Sequence, residues 1–237
     1  FKVCLKDQDY KVRKHAILGL WEFEDRSLIP LLVGLLESDD SGEVRAEAAM
    51  ALGKFAGLAQ DGKILSNDGE LVRDSLLKAL LNESEWVDVG RRALEAVAPF
   101  NIPEVYKYIH RAYDSDDVKL KCSSLYAMGK TGESQWLPLI VRELKNTSPP
   151  IRYEAANACG QLDDEEATPH LLPLLHDDDL QVQLAVIGAL GEIGDQLAKR
   201  ALIRCMKGGD SVLEDAAREA LDNIKAMEDP LGFNYES

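Results

Sequence analysis

The sequence predicts an all-α fold, an α-solenoid of about seven stacked two-helix repeats, and three observations carry that expectation. One motif of small and apolar residues recurs along the 237 residues at a nearly constant interval. A second apolar-periodic segment precedes most copies, with no strand signal between them. Composition agrees: 46% of residues are hydrophobic but only 6% are aromatic, which suits many closely spaced helices.

The motif is clearest in residues 42–53, GEVRAEAAMALG. Aligned on the apolar residue that opens each copy, the motifs start at Val12, Val44, Val89, Leu120, Ile151, Val182 and Leu213. The steps are 32, 45, 31, 31, 31 and 31 residues, a period of about 31. Four and seven residues on come small side chains, such as Ala48 and Ala51 or Ala155 and Ala158, and eight on comes a larger one, such as Leu52 or Leu190. Offsets 0, 4, 7 and 8 share one face of a 3.6-residue helix, and the small residues admit a neighbouring helix.

The partner segments are residues 27–37, 71–81, 103–112, 135–144, 168–175 and 196–206. Several carry proline near the first turn, where its missing N–H is harmless. Asp9, Asp117, Asp179 and Asp210 stand three residues before an opening apolar residue, where a carboxylate caps a helix N-terminus and complements its dipole. Gly53, Gly129, Gly160 and Gly191 read as C-caps. The long step leaves a surplus around 55–70, which reads as a loop insertion. Two helices per ~31 residues, stacked without strands, define a solenoid.

One solenoid is expected over residues 1–224. Phe1, Val3 and Leu5 read as the last turn of a truncated first helix, so residues are expected before Phe1. Charged residues in the last motif (Glu214, Arg218 and Asp222) suit a terminal cap. A tail at 225–237 carries Phe233 and Tyr235, either folded back or serving as a short partner motif.

The pattern D-x-x-V-R-x-x-A-x-x-A-L-G is carried by Val44-Arg45, Ala48 and Ala51-Leu52-Gly53. Ile151-Arg152, Ala155 and Ala158-Cys159-Gly160 echo it. It resembles the short prokaryotic HEAT-like repeat, a class often named after phycobilin lyases. The resemblance covers nearly the whole chain and implies a HEAT-like solenoid and, for most members, a binding scaffold.

A formal charge of −15 argues against duplex DNA and anionic membrane as partners. It also weakens a comparison with HEAT-like DNA glycosylases, which need a basic groove. From Asp163 onward there are 17 acidic and 6 basic residues, so the acidity is concentrated in the last third. Cys4, Cys122, Cys159 and Cys205 form no CxxC, which fits a reducing cytoplasmic setting. No apolar run approaches the ~20 residues of a membrane span.

None of His15, His110, His170 and His176 is followed by Glu. The HEAT-repeat hydroxylases that modify a lysine use His-Glu pairs for two irons, so that resemblance stops at the ligands. No phosphate loop or nucleophile motif is present, and no catalytic, metal-ligating or cofactor-binding residue is assigned.

Two sets of residues remain. The basic residue after each opening position (Arg13, Arg45, Lys121 and Arg152) is placed to form an inter-repeat ladder with the aspartates Asp9, Asp117 and Asp179 of the turn before. Opposite the core, offsets 2, 6 and 10 form the face that usually lines the concave side. This face carries Lys14 and Leu18, then Ala46, Met50 and Lys54, Arg91 and Glu95, Cys122, Tyr126 and Lys130, Tyr153, Asn157 and Gln161, and Leu184 and Glu192. Tyrosine supplies contact area and a hydroxyl at low entropic cost.

The expectation is a non-enzymatic scaffold without cofactor that binds a protein or peptide partner through its concave surface, and neither nucleic acid nor membrane. The alternatives are a phycobilin-lyase-like or other tetrapyrrole-protein chaperone, and a structural segment of a larger multidomain protein.

Overall fold

The computed structural model describes residues 2–228; Phe1 of the expected truncated helix, and 229–237 with Phe233 and Tyr235 of the expected tail, lie outside the described residues. Contacts divide the chain into two compact units, Phe1–Ala127 and Met128–Ser237. Among the described residues every regular element is helical.

The first unit begins with a 3-10 turn, Lys2–Lys6, that buries Leu5. Then come α1 (Tyr10–Gly19), α2 (Ile29–Ser38), α3 (Gly42–Gln60), α4 (Ser66–Leu81), α5 (Val87–Val97), α6 (Pro103–Tyr113) and most of α7 (Val118–Thr131). The second unit continues with α8 (Leu137–Glu143), α9 (Pro149–Leu162) and α10 (Thr168–Leu171), which runs on as a 3-10 turn, Leu172–His176. It ends with α11 (Leu180–Ile193), α12 (Gln196–Cys205) and α13 (Ser211–Glu228).

Odd-numbered helices are the second members of the repeats. They pack on one another as α1–α3–α5 in the first unit and α9–α11–α13 in the second, with even-numbered helices covering one side. The fold is an all-α solenoid of stacked two-helix repeats.

The core follows the small-residue pattern. Ala48, Ala93, Ser124, Ala155, Val186 and Ala217 are all completely buried. So are Leu52, Val97, Met128, Cys159 and Leu190, eight residues after their opening positions. Burial pushes the Cys159 thiol up to about 12, so it is a neutral packing group. Val12, the opening residue of the first repeat, is an exception at 37% exposure. Proline stands in the first turn of α2, α6, α8 and α10.

The glycine caps need correction. Gly53, Gly129, Gly160 and Gly191 lie inside α3, α7, α9 and α11. They are small because the next second helix lies against them. A methyl group at Gly160 would come within 2.8 Å of the Ala189 Cα, and at Gly129 within 2.9 Å of the Ala158 Cα. Helices α7, α9 and α11 close three residues later, at the left-handed positions Gly132, Asp163 and Gly194, and Asn101 takes the same conformation at the corresponding place after α5. Asn and Asp tolerate this conformation better than other side chains do.

That position also explains the long step. In α3 it is Ala56, which favours continuation of the helix, and Phe55 and Ala56 are both buried. The surplus residues therefore lengthen α3 to 19 residues and α4 to 16, joined by a short turn. The expected loop insertion is two extra stretches of helix.

Gly160→Ala should lower stability by about 1–3 kcal/mol in urea denaturation, because the contact it crowds is backbone. Gly188→Ala, in the same layer but with nothing within 4 Å, should be neutral or stabilise by up to about 1 kcal/mol.

Candidate functional site

The turns between repeats hold the strongest polar geometry. Asp9, Asp117 and Asp179 each accept backbone N–H groups from the first turn of the following helix. They are caps and are not the partners of the arginines beside them.

The arginines reach elsewhere, in a constant register. Arg13, Arg45 and Arg152 each donate to the carbonyl six residues back, at Asp7, Asp39 and Asn146. Gln183 does the same to Asp177. The rest of each guanidinium crosses to the next repeat. Arg13 forks onto Asp39 at 2.7 Å, Arg45 onto Glu85 at 2.6 and 3.2 Å, and Arg152 onto Asp177 at 2.7 Å.

Asp39 and Asp177 are therefore joints, because the carboxylate receives one repeat's arginine and the carbonyl receives the next repeat's side chain. Paired amide and charge partners of this kind are stronger than simple ion pairs. Lys121 instead holds its ammonium 5.3 Å from the Tyr113 ring centre.

The electrostatics follow. The Arg152 guanidinium holds the Asp177 carboxyl below its ordinary range. Burial pushes Asp39 up, but Arg13 and the Ser41 amide outweigh it and the net shift is downward.

The face opposite the core is half-shielded. In the first unit Leu18 is 41% exposed, Met50, Cys122 and Tyr126 are half-buried, and the small Ala46 is buried. Lys54 is tied down by a bond from its ammonium to the Trp21 carbonyl. In the second unit Tyr153 is exposed, while Asn157 and Leu184 are half-buried.

Arg91 and Glu95, expected on the outward face, form a polar cluster that bridges α5 and α7 through Ser123, a link the sequence reading did not foresee. Glu95 accepts from Arg91 at 3.0 Å, from Arg92 at 2.8 Å and from the buried Ser123 hydroxyl at 2.5 Å, while Arg91 also pairs with Asp88. The signal was the Asp88–Arg91–Glu95 spacing of three and four residues. On the second unit, Gln161 and Glu192 lie over Gly129 and Gly160. Burial raises the Glu192 carboxyl above its ordinary range, with Lys130 opposing and Asp163 adding to the shift.

A helical-repeat protein whose working parts are surfaces is what this geometry defines. The HEAT-repeat family profile matches residues 1–67 and 137–222, more than half of the chain, and the chain belongs to the HEAT-repeat family. It is similar to deoxyhypusine hydroxylase of Homo sapiens, 28% identical over 119 residues, covering 48% of this chain and 39% of that protein. It is also similar to phycocyanobilin lyase subunit alpha of Microchaete diplosiphon, 38% identical over 82 residues, covering 32% of this chain and 28% of that protein. The chain thus spans well under half the length of either relative in these alignments.

Among solved structures, the complex of CpcE and CpcF of phycocyanin lyase from Nostoc sp. PCC7120 shares the fold. The TM-score is 0.58 at 20% identity, covering 95% of this chain and 92% of that chain.

Recurrent similarity to catalytic HEAT-repeat proteins overturns the expectation of a non-enzymatic scaffold. That expectation rested on the repeated columns, which encode packing and are silent about chemistry. A hydroxylase-type metal centre, however, does not fit the residues present. The His-Glu pairs are missing from the sequence. No group of three His, Cys, Asp or Glu side chains is arranged to hold a metal ion among the described residues. No described helix is long and apolar enough to cross a membrane.

Arg152→Ala should cost about 3 kcal/mol, because it strands a mostly buried carboxylate. Arg218→Ala, in a pair more than half exposed, should cost under about 0.5 kcal/mol. The folded pKa of Asp177 is depressed, so its contribution is full above the unfolded value of about 3.9 and is lost as pH falls through the folded value. Wild type should therefore lose more stability than Arg152→Ala as pH is lowered from 5 into the acid limb, which urea melts at successive pH values will read.

Proposed function

We propose that this chain is a phycobilin-lyase-like protein, one that recognises a protein and assists the attachment of a tetrapyrrole to it. The observation that carries the reading is the 38% identity with the phycocyanobilin lyase subunit. The competing hydroxylase relationship lacks its metal ligands here. The alignment takes in a minority of the relative, so the activity is inferred from kinship joined to the surface.

In this reading the protein substrate lies on the outward face of the second helices. Tyr126, Cys122 and Met50 in the first unit, and Tyr153, Asn157 and Leu184 in the second, give it contact area. Half-buried tyrosine and amide side chains lose little rotamer freedom on docking. A bilin carries anionic propionates and a row of pyrrole N–H donors. Cationic and acceptor side chains on this face, such as Lys130 and Glu192, complement those groups.

The test mixes the chain with phycocyanobilin and apo-phycocyanin, then reads visible absorbance and pigment retained on the denatured acceptor. Lyase-type action predicts a spectral change and faster covalent retention than in the protein-free control. Tyr153→Ala with Asn157→Ala should lower the effect about 10-fold at unchanged helicity. Identical spectra and retention with and without the chain would remove the reading.

A further inference from the structure

One helix of the second unit runs against the charge around it. Four of the six basic residues after position 162 (Lys199, Arg200, Arg204 and Lys207) lie in residues 196–207, which contain no acidic residue. Helix α12 buries Ala198, Ala201 and Leu202. At ~100° per residue, Leu197, Arg200, Ile203 and Arg204 fall within about 120° on the opposite side, and all four are exposed, as is Lys207 in the turn that follows. Leu197 and Ile203 are 38% and 46% exposed, large apolar groups set between cations.

The arginines here differ from the rest. Of the twelve in the sequence, ten pair with a carboxylate, including surface ones such as Arg26, Arg73 and Arg218. Arg200 and Arg204 pair with none among the described residues, nor does Lys207; Lys199 alone of the four is engaged, by Glu228. In a chain of net charge −15, carboxylates for such pairs are plentiful, so an unpaired cationic face is a departure. One and two periods before Lys207 stand His176 and Lys145, both exposed.

We infer that this face of α12 docks an acidic amphipathic helix of a partner protein. Arg200 and Arg204 are one turn apart, about 6 Å, the spacing of carboxylates at i and i+4 on a helix. Guanidinium forks hold carboxylates in two bonds each, while Leu197 and Ile203 receive an apolar side chain between them. A bilayer fits poorly, since two apolar groups on a ten-residue helix make a narrow insertion face. The net charge of −15 would also meet any broad anionic surface, bilayer or duplex, with repulsion. The surface lies on the first helices, away from the face assigned to the bilin acceptor, and stands independently of the lyase reading.

The probe is a fluorescein-labelled synthetic helix with Glu at i and i+4 and Leu at i+3, titrated with the intact chain by anisotropy. A scrambled peptide of equal charge and phosphatidylserine vesicles are run beside it. Saturable binding should weaken as salt rises. Arg200→Glu with Arg204→Glu should weaken it at least about 10-fold, and Ile203→Ser about threefold or more, with circular dichroism unchanged in both. Absence of binding, equal binding of the scrambled peptide, or indifference to charge reversal would overturn the inference. So would tighter capture by vesicles than by the peptide, which would make α12 a lipid-facing helix.

Discussion

The structure depends on how closely one second helix approaches the next. Gly129, Gly160 and Gly191 each face an alanine of the following repeat at a distance that leaves no room for a methyl group, and Gly53 faces Ala96 almost as closely. Small residues at crossing points draw helix axes to the short end of the usual 8–10 Å range. Close stacking then brings each arginine within reach of the next turn, so the polar ladder follows from the apolar contact. Without that approach the forks onto Asp39, Glu85 and Asp177 would have no partner to meet.

The ladder and the packing divide the work between them. Packing is non-directional and tolerates small sliding, whereas a guanidinium that binds a carbonyl six residues back and a carboxylate one repeat ahead fixes the register. The ladder is absent at Gly90, where no side chain exists to extend it. There Arg91, Glu95 and Ser123 supply a different cross-link between α5 and α7.

The architecture was legible because it is periodic. The opening apolar residue, the small residues after it and the capping aspartates recur, and each has one physical meaning wherever it stands. Reading failed where one residue type serves two roles. Glycine ends helices and also admits neighbours, and the contact that decides between these is made by residues ~30 positions away. The arginine partners were misassigned for the same reason, since an Asp nearby in sequence was preferred to one brought close by folding. Catalytic kinship entered only through the resemblance to phycobilin lyases, because the repeated columns describe a scaffold, and α12 escaped notice because its charge stands out only once pairing is known.

The central claim is that the outward face of the second helices receives a bilin-accepting protein. Hydrogen–deuterium exchange of the chain, alone and with apo-phycocyanin, tests it most directly. The account predicts slower exchange in α7, α9 and α11, with the first helices α8 and α10 unchanged. Uniform exchange with and without the acceptor, or protection confined to the first helices, would contradict it.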